Sequence, residues 1–454
     1  MIIVDDMMWK RNFVSKLDMH FLVVFWMLIF SVQSSYAEIN GQVQTHNLSF
    51  ISPDFESHNS HQYTFIGASL ESVKSDRDQF KVSLSGEYAL GNAVLSTFNV
   101  REVYFSYFTE NNATIHVGRR KQKWSEVDEL WNLGFFQPQF RAHPFEVETQ
   151  GLTGIFYEHK QGLWSINLFG SHFFVPDQGP NFELKDGQFT SANPYFPSPP
   201  QNVYFQNTLL PIDYNIQKPE TTDVIYQTSF GLQINYGNQT GFYSDFSTIY
   251  QPSNQLAYGW RGVLVTDRVR VDVVPKTYYE KVFNFDFGYR DDWGMVGVST
   301  LYLNLEQPDF SEQYNQPVYS NNVTIGPHLN YNINNFSIHL SGLFNQNGEV
   351  NETGPNVDQF KRSLSQKFLY QNAYQIQLGY KILILPTLKY KTILKWLETD
   401  KNLLKTISWK NTIDFKGPWK MMFDLYLVET SDDVSNVSNY RNLDQALLGV
   451  VYEF

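Results

Sequence analysis

The chain of 454 residues contains no cysteine. That excludes disulfides, thiolate zinc sites, thiol catalysis and the lipid-bearing Cys of a bacterial lipoprotein. Charge is also scarce: Asp, Glu, Lys and Arg make up 18% of the residues, where about a quarter is usual. The net charge of −12 argues against a nucleic-acid partner, which needs basic patches. No run of apolar residues long enough to cross a bilayer as a helix occurs after residue 40, so a helical membrane bundle is excluded. Glycine-rich phosphate loops and clusters of His with carboxylates are missing too, and no cofactor or metal is expected. What is abundant is aromatic: 37 Phe, 28 Tyr and 10 Trp amount to 17%. A chain with that much aromatic surface to bury does not stay disordered.

Residues 1–37 read as a signal peptide. Lys10, Arg11 and Lys16 precede an apolar stretch from Phe21 to Val32, and small residues follow at Ser35 and Ala37. The apolar stretch is too short to span a bilayer and suits a signal core, with cleavage expected after Ala37. Three acids and three bases leave with the leader, so residues 38–454 keep the charge of −12.

Residues 38–454 are written in period two. Val224, Tyr226, Thr228, Phe230, Leu232, Ile234 and Tyr236 alternate with Gln227, Ser229, Gly231, Gln233 and Asn235. Phe283, Phe285, Phe287 and Tyr289 alternate with Asn284, Asp286, Gly288 and Arg290. Trp419, Met421, Phe423, Leu425 and Leu427 continue the pattern. Such alternation means strands with one apolar and one polar face. A soluble sandwich shares the pattern, but its strands average roughly 5–6 residues, and these segments have the greater length of a tilted transmembrane strand. Trp260, Trp293, Trp396, Trp409 and Trp419 lie toward segment ends, as an interfacial girdle requires.

The chain closes on Leu448, Gly449, Val450, Val451, Tyr452, Glu453 and Phe454. This resembles the C-terminal signature of Gram-negative outer-membrane β-barrel proteins: a terminal Phe with apolar residues at Tyr452, Val450 and Leu448. The resemblance implies export to the outer membrane, contact with its lipid and lipopolysaccharide, and recognition of the last strand by the outer-membrane assembly machinery. The fold expected is all-β, one transmembrane antiparallel barrel with long outer loops.

Polar loops at 430–442, 398–404, 348–364 and 305–317 alternate with tight turns at Lys416–Pro418, Pro386, Asn332–Asn335 and Asp291-Asp292. Nearer the amino end, the turns at 110–112 and 160–162 alternate with loops 121–149 and 175–222. This gives 19 candidate segments, yet a bacterial barrel has an even number. Treating Gln251–Glu280 as one outer excursion leaves 18; sixteen follows if the first hairpin is outside the wall.

Loop 175–222 holds eight of the 19 prolines, Pro197, Pro199 and Pro200 among them, with several aromatics. Prolines reduce the entropy lost on ordering, so an ordered loop is expected, a candidate for folding inward to narrow a pore. Loop 121–149 carries a short helical pattern, with Trp124, Val127, Leu130 and Trp131 on one face and Glu126, Asp128 and Glu129 on the other. Ser125 is placed to cap it. Arg119, Arg120, Lys121 and Lys123 precede it and Arg141 follows. Opposed basic and acidic clusters of this kind select solutes in channels, although a capped loop with exposed charges has the same pattern. If Leu388, Tyr390, Leu394 and Trp396 face lipid, then Lys389, Lys391 and Lys395 face the lumen, and Lys410, Asp414, Asp286 and Arg290 do so on their strands. Arg268 and Arg270 would add to this basic lining if their segment joined the wall.

The expected function is an outer-membrane, porin-like channel for passive diffusion of small hydrophilic solutes, mildly anion-selective and compatible with a homotrimer. Structural or adhesive barrels and an outer-membrane hydrolase are the alternatives. The hydrolase needs a Ser–His–carboxylate constellation, and His116, His143, His159, His172 and His339 stand in no nucleophile motif. Enzyme activity is not expected.

Overall fold

The computed structural model describes residues 39–52, 62–72, 80–109, 112–191, 193–196, 199–238, 240–348, 350–354, 367–368, 370–400, 404–430 and 443–454. The segment read as a signal peptide lies outside the described residues, as do Pro197 and most of loops 348–364 and 430–442.

Eighteen antiparallel strands close into one barrel. They begin with β1 (Ile39–Phe50), β2 (Gln62–Ser72), β3 (Phe80–Leu90), β4 (Thr97–Phe108), β5 (Ala113–Arg120) and β6 (Leu152–Gln161). Then come β7 (Trp164–Ser171), β8 (Ser229–Gly237), β9 (Gly241–Pro252), β10 (Tyr279–Asp291), β11 (Gly294–Leu305) and β12 (Asn322–Ile333). The wall ends with β13 (Phe336–Asn347), β14 (Asn372–Leu385), β15 (Leu388–Thr399), β16 (Leu404–Phe415), β17 (Trp419–Thr430) and β18 (Gln445–Glu453). Each strand pairs with its neighbour in sequence, and β1 pairs with β18 from Gln42↔Glu453 to Phe50↔Gln445. Gly41 and Phe454 lock the seam with two backbone hydrogen bonds of 2.9 Å.

Period two decides which face meets lipid. On β10, Phe283, Phe285 and Phe287 are 38%, 49% and 46% exposed, while Asn284 and Asp286 between them are 1% and 2% exposed. The exposed row continues through Ile376, Leu378, Tyr380 and Ile382 on β14, and Leu394 follows opposite Leu378 on β15. A closed wall leaves no unpaired edge in lipid, and its apolar outer band meets the hydrocarbon.

The long connections that follow β5, β7, β9, β11 and β13 leave the wall at one end of the barrel, and turns such as 292–293, 334–335 and 386–387 close the other. Residues 253–278 are the excursion that brings the strand count to eighteen. Their hairpin, Ala257–Val265 with Arg268–Lys276, joins Asn202–Phe205 and Thr208–Ile216 in a four-stranded sheet outside the wall. Arg268 and Arg270 therefore pair with Asp213, Asp267 and Asp272 in that sheet and do not line the lumen.

Three further expectations need correction. Val224 to Thr228 are not part of a strand, because Thr221–Ile225 form a helical turn and β8 starts at Ser229. Trp260 is buried in the outer hairpin, and Trp409 sits in mid-strand, bonded to Thr392 Oγ1 at 2.9 Å. The girdle at the turn end is built instead from pairs such as Trp164–Tyr236, Phe242–Tyr289 and Trp419–Tyr452, with ring centroids 4.7, 5.3 and 4.9 Å apart.

Candidate functional site

Loop 121–151 fills the outer half of the lumen, with Asp177, Gln178 and Tyr195 of the proline-rich loop bonded beside it. Its short helix α1 (Glu126–Trp131) is capped by Ser125, whose hydroxyl accepts from Asp128 N at 3.3 Å, and ends at the left-handed Asn132. The Asp128 carboxylate then accepts from the backbone N–H of Phe135 (3.0 Å) and Phe136 (3.3 Å). Side chains of the inner wall and of the connection after β9 satisfy further polar groups of the segment. Ser125 Oγ donates to Asn284 Oδ1 (2.8 Å) and Glu126 N to Asp286 (3.1 Å), while Gln251 and Asn254 donate to the carbonyls of Phe135 (2.7 Å) and Gly134 (2.8 Å). A backbone segment can be buried in a barrel only on those terms. Trp124, Val127, Phe135 and Phe136 pack against Ile249, Leu301, Leu303 and Leu343, so the upper inner wall is apolar where a wet pore lining was expected.

Two wall glycines make room for the segment. A Cβ on Gly231 would lie 2.8 Å from Trp124, and one on Gly326 would lie 2.4 Å from Val127 Cγ2. Gly326→Ala is accordingly expected to push the helix from the wall and destabilise its docking by about 1–3 kcal/mol, as overpacking does. Val127→Gly in the same chain restores it, read by proteolysis within 121–151.

The acids of α1 were read as its polar face, yet Glu126 and Asp128 are buried against the wall. Burial pushes Asp128 up to about 6, against the pull of the Phe135 and Phe136 amides. That lies above the value of the free side chain, so the stabilisation is complete below pH ~4 and is lost as pH rises through about 6. Hydrogen exchange at Phe135 and Phe136, corrected for intrinsic rates, should show stronger protection at pH 5 than at pH 8. Asp128→Asn should remove the difference.

Most of the basic cluster is spent on anchoring. Arg119 donates to Gly151 O (3.1 Å) and Gln150 Oε1 (2.8 Å), and Arg120 pairs with Glu158 at 3.0 Å. The backbone N–H of Lys121 donates to Glu102 (2.9 Å) and Lys123 pairs with Glu126 at 2.6 Å. Arg141 holds Asp177 at 3.3 Å and the carbonyls of Asn132 and Leu133 at the end of α1. Arg290 faces inward, 3.8 Å from Glu126 and over the ring of Tyr243. Lys389, Lys391 and Lys395 are registered with the inward row of β14 to β16, and among the described residues they make no ion pair.

Lys410 reaches a cluster that sequence reasoning missed. It pairs with Glu146, which also accepts from the Tyr426 hydroxyl. His143 contacts Gln445 at 3.0 Å, and Tyr195 donates to Gln445 Oε1 at 2.7 Å. Phe145 stacks on Tyr426 and His143 lies against Tyr195. Besides Tyr195, the proline-rich loop contributes Gly179 and Pro180 to the lining of one adjoining cavity and Asn193 to that of the other. The group forms a partition with a cavity of about 390 Å³ on one side and about 340 Å³ on the other. Its members are up to 302 residues apart, and no local pattern announces them.

A Ser–His–carboxylate row does occur on the inner wall: Ser106 Oγ lies 2.8 Å from His116 Nδ1, and His116 Nε2 lies 3.6 Å from Glu158. Ser106 is buried, and Glu158 is also claimed by Arg120 and Lys160, so the row has the geometry of wall packing.

The class defined by this architecture is the outer-membrane β-barrel with a plugged or narrowed lumen. No family model and no curated protein matches the chain. Among solved structures it is similar to OccK5 (OpdH) of Pseudomonas aeruginosa, with 9% identity, 92% of this chain and 98% of that chain covered, and a TM-score of 0.44. Acinetobacter baumannii OccAB4 gives 8% identity, 93% and 99% coverage and 0.43. Wzi of Escherichia coli, an outer-membrane protein involved in capsule assembly and a carbohydrate-binding β-barrel, gives 12%, 95% and 88%, and 0.42.

Proposed function

We propose that the protein is a porin-like channel of the outer membrane that passes small hydrophilic solutes by passive diffusion, with a mild preference for anions. The observation that carries the reading is a wide wall narrowed from within. Eighteen strands enclose more space than their own side chains fill, and loop 121–151 reduces it to charged cavities. Anion preference rests on the inner face of β14 and β15, where Lys381, Lys389, Lys391 and Lys395 make no ion pair among the described residues. The pore candidates Arg119, Lys121 and Arg141 support the constriction by fixing the inserted loop, and Arg120 braces the wall beside it through Glu158.

The outward row Leu448, Tyr452 and Phe454 on β18 is exposed and suits recognition by the assembly machinery. Contact with lipopolysaccharide and a homotrimeric state belong to the same reading. An adhesive barrel is the second reading, favoured by the outer four-stranded sheet, whose Tyr204 is 77% exposed.

Single-channel recording across a salt gradient tests both. Discrete steps with an anion-directed reversal potential are expected, and Lys389→Glu with Lys391→Glu should move that potential toward the cation side. A folded, inserted and silent barrel would favour adhesion.

A further inference from the structure

The outer four-stranded sheet ends in an open edge. The strand Asn202–Phe205 pairs with Thr208–Ile216 on one side, and among the described residues no backbone hydrogen bond reaches its other side. The register shows which groups are left over. Ile212 N donates to Gln201 O at 2.8 Å, and the next pair sets Asn202 opposite Pro211, which has no N–H to give. Bonded and unbonded pairs alternate along an antiparallel ladder, so Asn202 and Tyr204 turn their N–H and C=O away from the sheet. The turn agrees. Gln206 and Asn207 both have positive φ (45° and 64°), as a two-residue hairpin turn needs, and they close the pair Phe205↔Thr208.

Natural edges are blunted by charge or by a covering segment. The opposite edge of this sheet obeys: Ala257–Val265 carries Arg261, and Trp260 exchanges two backbone bonds with Asn315. Asn202–Phe205 has neither device among the described residues. From Gly187 to Ile212 the chain has no charged residue, Tyr204 is 77% exposed, and Phe205 and Leu209 are exposed beside it.

We propose that this edge pairs with the same edge of a second copy of the chain. The occupant is argued from charge. A net charge of −12 sets copies against each other over most of the surface, and an uncharged strand is where two can meet. The free groups fix the geometry. Antiparallel pairing about a two-fold axis at Tyr204 lets the two Tyr204 residues exchange N–H···O=C bonds. It also sets Val203 against the partner's Phe205, an apolar cross-strand pair. Pro199 and Pro200 end the edge just before it, so the shared ladder is short. The inference is independent of the channel reading and supplies a partner for the adhesive one.

The chain has no cysteine, so one introduced at the axis reports the contact directly. Refolded Tyr204→Cys in detergent should form a disulfide dimer on mild oxidation about tenfold faster than Gln201→Cys, because pairing concentrates the thiols. Across the axis the two Tyr204 Cα atoms stand about 5.5 Å apart, within disulfide reach. The two Gln201 Cα atoms would be roughly 20 Å apart. Tyr204→Lys and Tyr204→Glu should each weaken dimerisation in sedimentation, and their one-to-one mixture should associate roughly fivefold more tightly than either alone. Equal cross-linking of the two Cys variants, with heat-modifiable gel migration showing both folded, overturns the contact. Should Tyr204→Cys not fold, a mixture of Val203→Cys and Phe205→Cys takes its place, and failure to link these two variants to each other overturns it. A wild-type dimer that Tyr204→Lys leaves unchanged also overturns it and puts the interface elsewhere. Current steps, present or absent, decide the channel and leave this contact untouched.

Discussion

Deleting residues 123–136 is expected to raise single-channel conductance severalfold while the barrel still folds. The cut ends already meet, because the backbone N–H of Gln122 donates to Gln137 Oε1 at 2.9 Å, so a short linker closes the gap. Conductance follows the open cross-section, and the deletion removes α1 with Trp124, Val127, Phe135 and Phe136 from the lumen. The wall retains its strand-to-strand hydrogen bonds. What is lost is the cover over Ile249, Leu301, Leu303 and Leu343, at about 25 cal/mol for each Å² wetted. A folded deletion variant with unchanged conductance would place the limiting width at the partition around Tyr195 and Tyr426.

The second large effect is expected at Lys367→Met. Lys367 and Glu280 are 1% and 0% exposed at 2.6 Å, with Ser253 accepting from the same ammonium at 2.7 Å and the Phe135 ring 5.4 Å away. Four connections meet there: the end of loop 348–371, the start of the outer hairpin, β10 and the inserted segment. Removing the cation leaves a buried carboxylate without its partner, which costs about 3–5 kcal/mol. Thermal unfolding should fall accordingly, and the outer loops should become open to protease first. Adding Glu280→Met should return most of the loss, since an apolar pair of similar volume needs no desolvated charge. A single variant as stable as the parent would show that water reaches Glu280.

The wall was legible in the sequence because alternation is a local property. Phe283, Phe285 and Phe287 declare their face without help from any neighbour, and the excess of one segment pointed at residues 251–280, which do leave the wall. The helix at 126–131 was legible for the same reason, through Ser125 and the spacing of Trp124, Val127 and Trp131. Its location was not. Gln251, Asn284 and Gln375 look like the lining of a wet pore, whereas in the fold they bond the backbone or cap of the inserted segment. Polar residues on an inner face serve water and buried backbone equally well, and only the third dimension tells which. Glu146, Tyr195, Tyr426 and Gln445 come from separate loops and strands, so their meeting has no signature along the chain.

The seam between β1 and β18 carries a consequence for how the molecule is made. Gln42 cannot find Glu453 until nearly the whole chain is available. Contacts so distant in sequence make folding slow. Until the last strand arrives, the growing sheet presents two unpaired edges beside an apolar face, the combination most prone to aggregation. Closure thus waits on the two ends of the chain, and the last wall edge is covered only when Phe454 bonds Gly41.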